Sequence, residues 1–361
     1  MLPEDVVDRE AFMDDVVARL LDRHSVVLSA PRRLGKSSVA YEVLRRLREQ
    51  ENCHTAAVDV STVSTVQDLA ERLIATCIAD LEPGARAFQT ARRSLGRLLR
   101  MPEVRARMFD LELSVGLGPG EQPSPEALLA EALALPERIA ERNGRPFVLL
   151  FDEFQTTEAI GGAQLLAQLR GAFQLQRHTA FLFLGSQAGT MAQLFGSSAE
   201  AFYRFATMLD LPPVPDEAWR TYIHRKFSGR GIPIDDGAID VILGVTGGHP
   251  YDTMQVAYEA YLLARRSRRV DARLVGAACV EAEMHLRQVF EAELDALGSK
   301  SRVLLGRVAD STSLYAGERS SGTVDRALTK LVRQGVLRHL SHGHYEFVEP
   351  MLARHLAAAG R

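Results

Sequence analysis

The sequence predicts an α/β protein in which helices cover a parallel β-sheet, followed by smaller, mostly helical units. Four short apolar runs, at residues 26–28, 56–60, 147–151 and 180–184, are of the kind that forms strands buried on both faces. Amphipathic helical patterns lie before and between them, as at residues 12–21, 39–47 and 66–78. Strands that alternate with helices indicate a parallel sheet.

The composition limits the classes of function. The 361 residues carry a net charge of −3, so any nucleic-acid surface must be a local patch. Three distant cysteines, Cys53, Cys77 and Cys279, argue against a disulfide framework or a zinc site and suit a reducing compartment. The acidic, interrupted N-terminal stretch is unlike a signal peptide, and no apolar run approaches the ~20 residues that span a bilayer. We expect a cytoplasmic protein with no membrane partner.

Changes in pattern along the chain predict three domains. Residues 1–214 hold the α/β core, interrupted at about residues 82–125 by an insertion that contains an arginine-rich helical piece, a short strand and a loop. Residues 215–298 contain helical patterns alone, which predicts a helical second domain. Residues 299–361 follow the order helix, turn, helix and hairpin, which is typical of a winged helix.

A glycine–lysine–serine sequence follows the first strand, in VVLSAPRRLGKSSVAYEVL. In a P-loop, backbone N–H groups and a helix N-terminus bind phosphate, the lysine reaches the β- and γ-phosphates, and the next hydroxyl binds Mg²⁺. We therefore predict ATP and Mg²⁺ as cofactors, with Lys36 on phosphate, Ser37 on the metal and Ser38 on the α-phosphate. The loop around the phosphates would be Ala30, Pro31, Arg32, Arg33, Leu34 and Gly35.

Two features of this loop need comment. Ala30 stands where a P-loop usually has its first glycine, and it can serve there if its φ angle is negative. Arg32 and Arg33 add positive charge to the loop, or they point to solvent or to a neighbouring subunit. Taken alone, the GKS sequence could follow a strand by chance.

Two further strands end in polar residues that complete the predicted site. The run FVLLF leads directly into Asp152 and Glu153, which would lie beside the phosphates because ligands bind where parallel strands end. Asp152 would hold Mg²⁺ and Glu153 would be the general base for the attacking water, although an acidic strand end could also cap the next helix. The run FLFLG leads into Ser186 and Gln187. Either could bind the γ-phosphate or the water, and Gln187 reaches further, whereas Ser186 could cap the following helix.

These motifs, together with VDRE at residues 7–10 and GGHP at residues 247–250, resemble those of the archaeal-type ATPases. These are P-loop proteins of the AAA+/STAND group, related to the origin-recognition and Cdc6 ATPases. The resemblance covers nearly the whole chain and implies a P-loop core, a helical lid and a C-terminal winged helix. Ala30 is the clearest departure, because the family usually has glycine there.

The resemblance also implies roles for residues outside the loop. Asp8 and Arg9 would lie near the adenine base, or else form a helix cap with a solvated arginine. His249 and Pro250 would sense whether ATP or ADP is bound, or else belong to a Gly-Gly hinge. Arg204 would be a nucleotide-sensing arginine or an arginine finger for a neighbouring subunit, or else an exposed structural residue.

The C-terminal unit carries the one candidate nucleic-acid surface. Residues 302–345 contain seven Lys and Arg against three Asp and Glu, and Arg326, Lys330 and Arg333 share one face of its second helix. Such a helix would enter the major groove of double-stranded DNA, or it would pack against protein. The sequence leaves three functions open: an ATPase switch, a DNA-binding regulator that holds nucleotide without turnover, and a signalling or defence adaptor that oligomerises.

Overall fold

The computed structural model describes residues 5–81, 124–315, 321–341 and 343–359. Nearly all of the predicted insertion lies outside this part of the chain. The strands are β1 (Val26–Ser29), β2 (His54–Asp59), β3 (Phe147–Asp152), β4 (Thr179–Gly185), β5 (Thr207–Asp210), β6 (Leu337–Ser341) and β7 (His344–Phe347). The helices are α1 (Glu10–Leu21), α2 (Lys36–Glu49), α3 (Val66–Leu81), α4 (Pro125–Asn143), α5 (Thr157–Phe173), α6 (Ala188–Gly196), α7 (Asp216–Ser228), α8 (Asp236–Thr246), α9 (Pro250–Ser267), α10 (Ala272–Leu297), α11 (Ser299–Ala309), α12 (Ser321–Arg333) and α13 (Pro350–Ala359).

Strands β1 to β5 form one sheet in the order β2-β3-β4-β1-β5. All four pairings are parallel, which confirms the predicted fold class. The register places Ser29 beside Gly185 and Asp59 beside Asp152. The carboxyl ends of β1, β3 and β4 therefore meet at the same edge of the sheet.

Both faces of the central strands β1, β3 and β4 are buried, as the unbroken apolar runs predict, whereas the edge strand β5 is partly exposed. Phe147, Leu149 and Phe151 of β3 pack on one face with α3, α4 and α5, whereas the alternate residues Val148 and Leu150 pack on the other face with α1 and α2. Alternation follows from the two-residue period of a strand. A sheet covered in this way leaves its strand ends as the accessible polar edge.

The second half of the chain forms a separate apolar core. Buried residues from Val214 to Leu356 make one cluster that is shared by α7 to α13 and the hairpin. Trp219 is a buried member of this cluster, and its indole N–H donates to the carbonyl oxygen of Gly248 at 2.9 Å. The predicted lid and the units after it therefore pack together.

The C-terminal unit comprises the described residues from 299 to 359. Helices α11 and α12 precede an antiparallel hairpin, in which Leu337 of β6 pairs with Phe347 of β7. This order agrees with the predicted helix, helix and hairpin, and α13 follows it. The division of the chain into three domains stays a prediction.

Candidate nucleotide-binding site

The loop between β1 and α2 leads through a left-handed glycine directly into the N-terminus of α2. Gly35 adopts a left-handed conformation with φ of 88°, directly before the first residue of α2. Ala30 is buried and is absent from the described residues with positive φ. Because Ala30 keeps a negative φ, its methyl group costs the loop no backbone strain.

Lys36 is a buried ammonium at the N-terminus of α2. Its side chain is 6% exposed, and its Nζ donates to the carbonyl oxygen of Pro31 at 2.8 Å. Burial lowers the pKa of Lys36 to about 8, although the carboxylates of Glu153 and Asp152 oppose the decrease. A buried positive charge at this place favours the binding of an anion.

The side-chain oxygens of Ser37 and Asp152 are hydrogen-bonded to each other. The Ser37 Oγ donates to Asp152 Oδ2 at 3.0 Å, and the backbone N–H of Glu153 donates to Asp152 Oδ1 at the same distance. Burial raises the pKa of Asp152, and the hydrogen bond from Ser37 opposes the increase. Adjacent ligands of an octahedral Mg²⁺ ion lie about 2.9 Å apart. Hard oxygen ligands at this spacing fit Mg²⁺.

Glu153 is held by two donors at the end of β3. Its Oε2 accepts from Ser186 Oγ at 2.7 Å and also from the side-chain amide of Gln155. The backbone of Glu153 is left-handed, with φ of 54°, a conformation that a residue other than glycine rarely adopts. The candidate base is therefore fixed in both backbone and side chain.

The two polar residues that follow β4, Ser186 and Gln187, have different hydrogen-bond partners. Ser186 is 1% exposed and reaches Glu153, whereas the Gln187 side chain accepts from Thr190 Oγ1 in its own helix at 3.1 Å. Ser186 is therefore the residue after β4 that donates to Glu153, and the predicted catalytic role of Gln187 stays a prediction. Ser186 also makes no helix cap, since α6 begins after Gln187.

The two loop arginines lie in different surroundings. Arg32 is exposed, and Leu34 packs beside the core cluster of α1 and α2. The side chain of Arg33 instead lies 2.6 Å from both carboxylate oxygens of Glu349 and 2.8 Å from Glu293 Oε1. Two carboxylates of its own chain therefore bind the Arg33 side chain, and the role of Arg33 in the loop around the phosphates stays a prediction.

Glu349 is the more buried of the two carboxylates that bind Arg33. Its side chain is 13% exposed. Burial, and then the charge of Asp252, raises the pKa of Glu349 to about 7, and Arg33 opposes the increase. Without Glu349, the partly buried guanidinium of Arg33 would keep only Glu293 as a counter-charge.

The lid residues His249 and Pro250 lie against the C-terminal unit. His249 is buried and caps α9, where its Nδ1 accepts from the backbone N–H of Asp252 at 3.4 Å, and Pro250 is the first residue of that helix. Asp252 Oδ2 accepts from the backbone N–H of Met351 in α13 at 2.9 Å. Gly247, before these residues, has a left-handed φ of 56°. Helix α9, which follows the GGHP segment, is therefore hydrogen-bonded to the last helix through Asp252.

The N-terminal residues Asp8 and Arg9 precede α1. Asp8 is exposed and lines a cavity of about 550 Å³ together with Tyr222 and Arg225 of α7. Arg9 is 4% exposed, so it is no solvated arginine, and burial lowers its pKa while Asp8 opposes the decrease. Its Nη1 has no hydrogen-bond partner among the described residues. The adenine-side role of both residues stays a prediction.

Comparisons with known proteins show which solved structures share the fold of this chain. No family model matches the chain, and no curated protein matches it. A Walker-type ATPase of Pyrococcus abyssi aligns with a TM-score of 0.71 at 18% identity and covers 98% of this chain and 97% of its own. The ORC2 protein of Aeropyrum pernix, solved in ADPNP–ADP complexes, aligns at 0.62 with 13% identity over 100% and 96%. The ORC1 protein of the same organism, solved in complex with DNA, aligns at 0.51 with 15% identity over 99% and 94%.

This chain has the fold of the P-loop AAA+ ATPases. The resemblance seen in the sequence is confirmed at this level. At these identities the likeness shows the fold alone.

Within the AAA+ core, Arg204 lies at the wrong edge of the sheet for a site of its own chain. It comes before β5, at the end of the sheet where Thr207 N–H donates to Ser25 O, and its guanidinium stacks on Tyr203 at 5.1 Å. The loop that is predicted to bind phosphate follows the opposite ends of the strands. Arg204 is exposed, so its position is compatible with a role toward a neighbouring subunit and also with the alternative of an exposed structural residue.

The three basic residues predicted to contact DNA differ in their surroundings. Arg326 and Lys330 are exposed on α12. Arg333 lies at the end of α12, where a Cβ added to Gly189 of α6 would come within 2.5 Å of its Cγ and 3.0 Å of its Cα. The end of the candidate DNA-binding helix therefore rests on the AAA+ core.

Three residues of the site carried no assignment from the sequence. Gln155 lies three residues after Asp152, in the sequence FDEFQ at residues 151–155, so its position could have suggested it. Glu293 and Glu349 lie far along the chain in ordinary helical and loop sequence and give no such signal.

Among the described residues, no helix is both long and apolar enough to cross a membrane.

Proposed function

We propose that this protein is an ATP-binding, Mg²⁺-dependent ATPase that acts as a nucleotide-driven molecular switch. One observation carries the proposal: the buried ammonium of Lys36, the Ser37–Asp152 pair and the carboxylate of Glu153 converge at one edge of the sheet. A cation and two carboxylates beside an anion-binding loop match the charges that a Mg²⁺–triphosphate complex requires.

In the proposed reaction, water attacks the γ-phosphorus, the bond to the bridging oxygen breaks, and the products are ADP and inorganic phosphate. Lys36 exchanges its hydrogen bond to Pro31 for one to a phosphate oxygen. Glu153 accepts the proton of the attacking water. Ser37 and Asp152 would hold Mg²⁺, which neutralises phosphate charge when it is bound.

The test is phosphate release from MgATP by wild type and Glu153→Gln, with Glu158→Gln on the exposed start of α5 as the matched control. We expect Glu153→Gln to lower kcat at least about 100-fold, since a general base contributes that much, while ATP still binds and the control turns over normally. Equal kcat values for Glu153→Gln and wild type would exclude Glu153 as the base. Failure of wild type to bind ATP would exclude the site.

A second candidate function is a regulator that holds nucleotide without turnover. The observation that favours it is the double hydrogen bond on Glu153 Oε2, because a carboxylate engaged by two donors has less capacity left for a water proton. Bound ATP that is recovered intact from wild type would support this candidate.

We also propose that the C-terminal unit is a winged helix whose exposed Arg326 and Lys330 contact DNA phosphates. The same release assay with duplex DNA tests this proposal. Stimulation that is lost in the double variant Arg326→Ala/Lys330→Ala would support it. DNA that neither binds nor changes turnover would leave the unit as a protein-contact module.

A further inference from the structure

The phosphate-binding loop has a direct ionic connection to both of the units that follow the core. One guanidinium, that of Arg33, binds Glu349 at the start of the last helix and Glu293 of α10 at the same time. It also lies over the ring of Tyr251 in α9, 5.2 Å from the centroid. Arg33 is 19% exposed, so this contact is largely shielded from solvent screening.

The residue that makes these ion pairs also has a strained backbone conformation. Its φ is 64°, in the left-handed region, two residues before Gly35 at 88°. Glycine enters that region freely, whereas any other residue is strained there and stays only if its surroundings hold it. The loop whose N–H groups would face the phosphates therefore contains a strained residue whose side chain is fixed from outside the core.

We infer that Arg33 is a positioning residue: its ion pairs with Glu293 and Glu349 hold the phosphate-binding loop in its anion-binding shape, so that nucleotide binding and docking of the C-terminal unit stabilise each other. The inference rests on the proposed function, because it concerns the same nucleotide site. The coupling is reciprocal, as any linkage between two binding equilibria must be.

Further contacts join the C-terminal unit to the phosphate-binding loop, so the Arg33 ion pairs accompany the docking of this whole unit on the loop. A Cβ on Gly335, in the turn after α12, would lie 3.4 Å from Pro31 Cβ and 3.4 Å from the carbonyl oxygen of Ser186. The turn thus rests on the phosphate-binding loop and on the end of β4. Glu349 begins the segment that leads into α13 and contacts the same loop through Arg33. The loop and the unit therefore cannot separate without breaking the Arg33 pairs.

The first test measures the affinity for a fluorescent ADP analogue, with Mg²⁺, in wild type, Arg33→Ala, Arg33→Gly and Glu349→Gln. We expect about fivefold weaker binding for Glu349→Gln and about tenfold for Arg33→Ala. Arg33→Gly should bind about fivefold more tightly than Arg33→Ala, because glycine adopts the left-handed φ without strain. Glu346→Gln, an exposed glutamate of β7, is the matched control and should bind as wild type does.

The second test measures docking by hydrogen exchange of full-length protein with and without ADP. In wild type we expect ADP to slow exchange in α6 and in the hairpin strand β6, which lie at and beside the docking contact. In Arg33→Gly this slowing should be lost although nucleotide still binds, since glycine has no side chain to reach Glu349. A role of Arg33 in folding alone would not separate affinity from docking in this way.

Two results would overturn the inference: wild-type affinity and exchange in Glu349→Gln, or equal affinities for Arg33→Gly and Arg33→Ala. If Glu349→Gln fails to fold, Glu293→Gln replaces it, with the same direction and a smaller effect, because Glu293 is 32% exposed. Failure of the proposed function has a different signature, in which wild type itself binds no nucleotide.

Discussion

Replacement of Lys36 by methionine tests the nucleotide site through stability rather than through activity. The ammonium of Lys36 is buried and donates a hydrogen bond to the carbonyl oxygen of Pro31. Methionine has nearly the same length and no charge. We therefore expect Lys36→Met to unfold at higher denaturant concentration than wild type when Mg²⁺ and nucleotide are absent.

The pKa of Lys36 gives the magnitude. It falls from 10.5 to about 8, and at 1.36 kcal/mol per pKa unit the buried charge costs about 3 kcal/mol at pH 7. The folded pKa lies below the unfolded one, so this cost is complete below pH 8 and disappears as pH rises to 10.5. The hydrogen bond to Pro31 offsets about 1 kcal/mol, which leaves a net gain of about 2 kcal/mol for Lys36→Met.

The assay is urea denaturation followed by circular dichroism at pH 7, with Lys300→Met at an exposed position of α11 as control. Without nucleotide, Lys36→Met should be more stable than wild type, and the control should change by less than about 0.5 kcal/mol. With ADP at 100 times its Kd, wild type should gain about 2.7 kcal/mol and Lys36→Met should gain nothing. A less stable Lys36→Met without nucleotide, or equal protection by ADP, would refute the reasoning.

Two further substitutions test packing around the site and in the lid. In Gly185→Ala the new Cβ would lie 2.2 Å from Met191 Cγ, so we expect the unfolding free energy to fall by about 1–3 kcal/mol. The control is Gly196→Ala, which should be nearly neutral because its new Cβ would have no atom within 4 Å. Equal denaturation midpoints for the two variants would contradict the close packing around Gly185. Trp219→Phe removes the 2.9 Å hydrogen bond to Gly248 O and should cost about 1–2 kcal/mol, measured by the denaturation midpoint; an unchanged midpoint would mean that this bond contributes nothing.

The sequence by itself predicted four of the five strands of the parallel sheet and the places where they end; it did not predict β5. Unbroken apolar runs predict strands buried on both faces, and the polar residues that follow them, Lys36, Ser37, Asp152 and Glu153, necessarily gather at one edge of a parallel sheet. Both signals are local in the chain, since the period of burial and the residue after a strand can be seen within ten residues. For that reason the fold class and the main candidates for the site needed no coordinates.

Only the tertiary structure decided what each side chain meets. Arg33 and Glu349 are 316 positions apart, and no local pattern marks them as partners. The hydrogen bond from Ser186 to Glu153 depends on how the chain turns after β4, and the distance of Arg204 from the loop after β1 depends on which end of the sheet it occupies. Such contacts arise from the packing of distant elements, which fixes directions and distances that residue order does not contain.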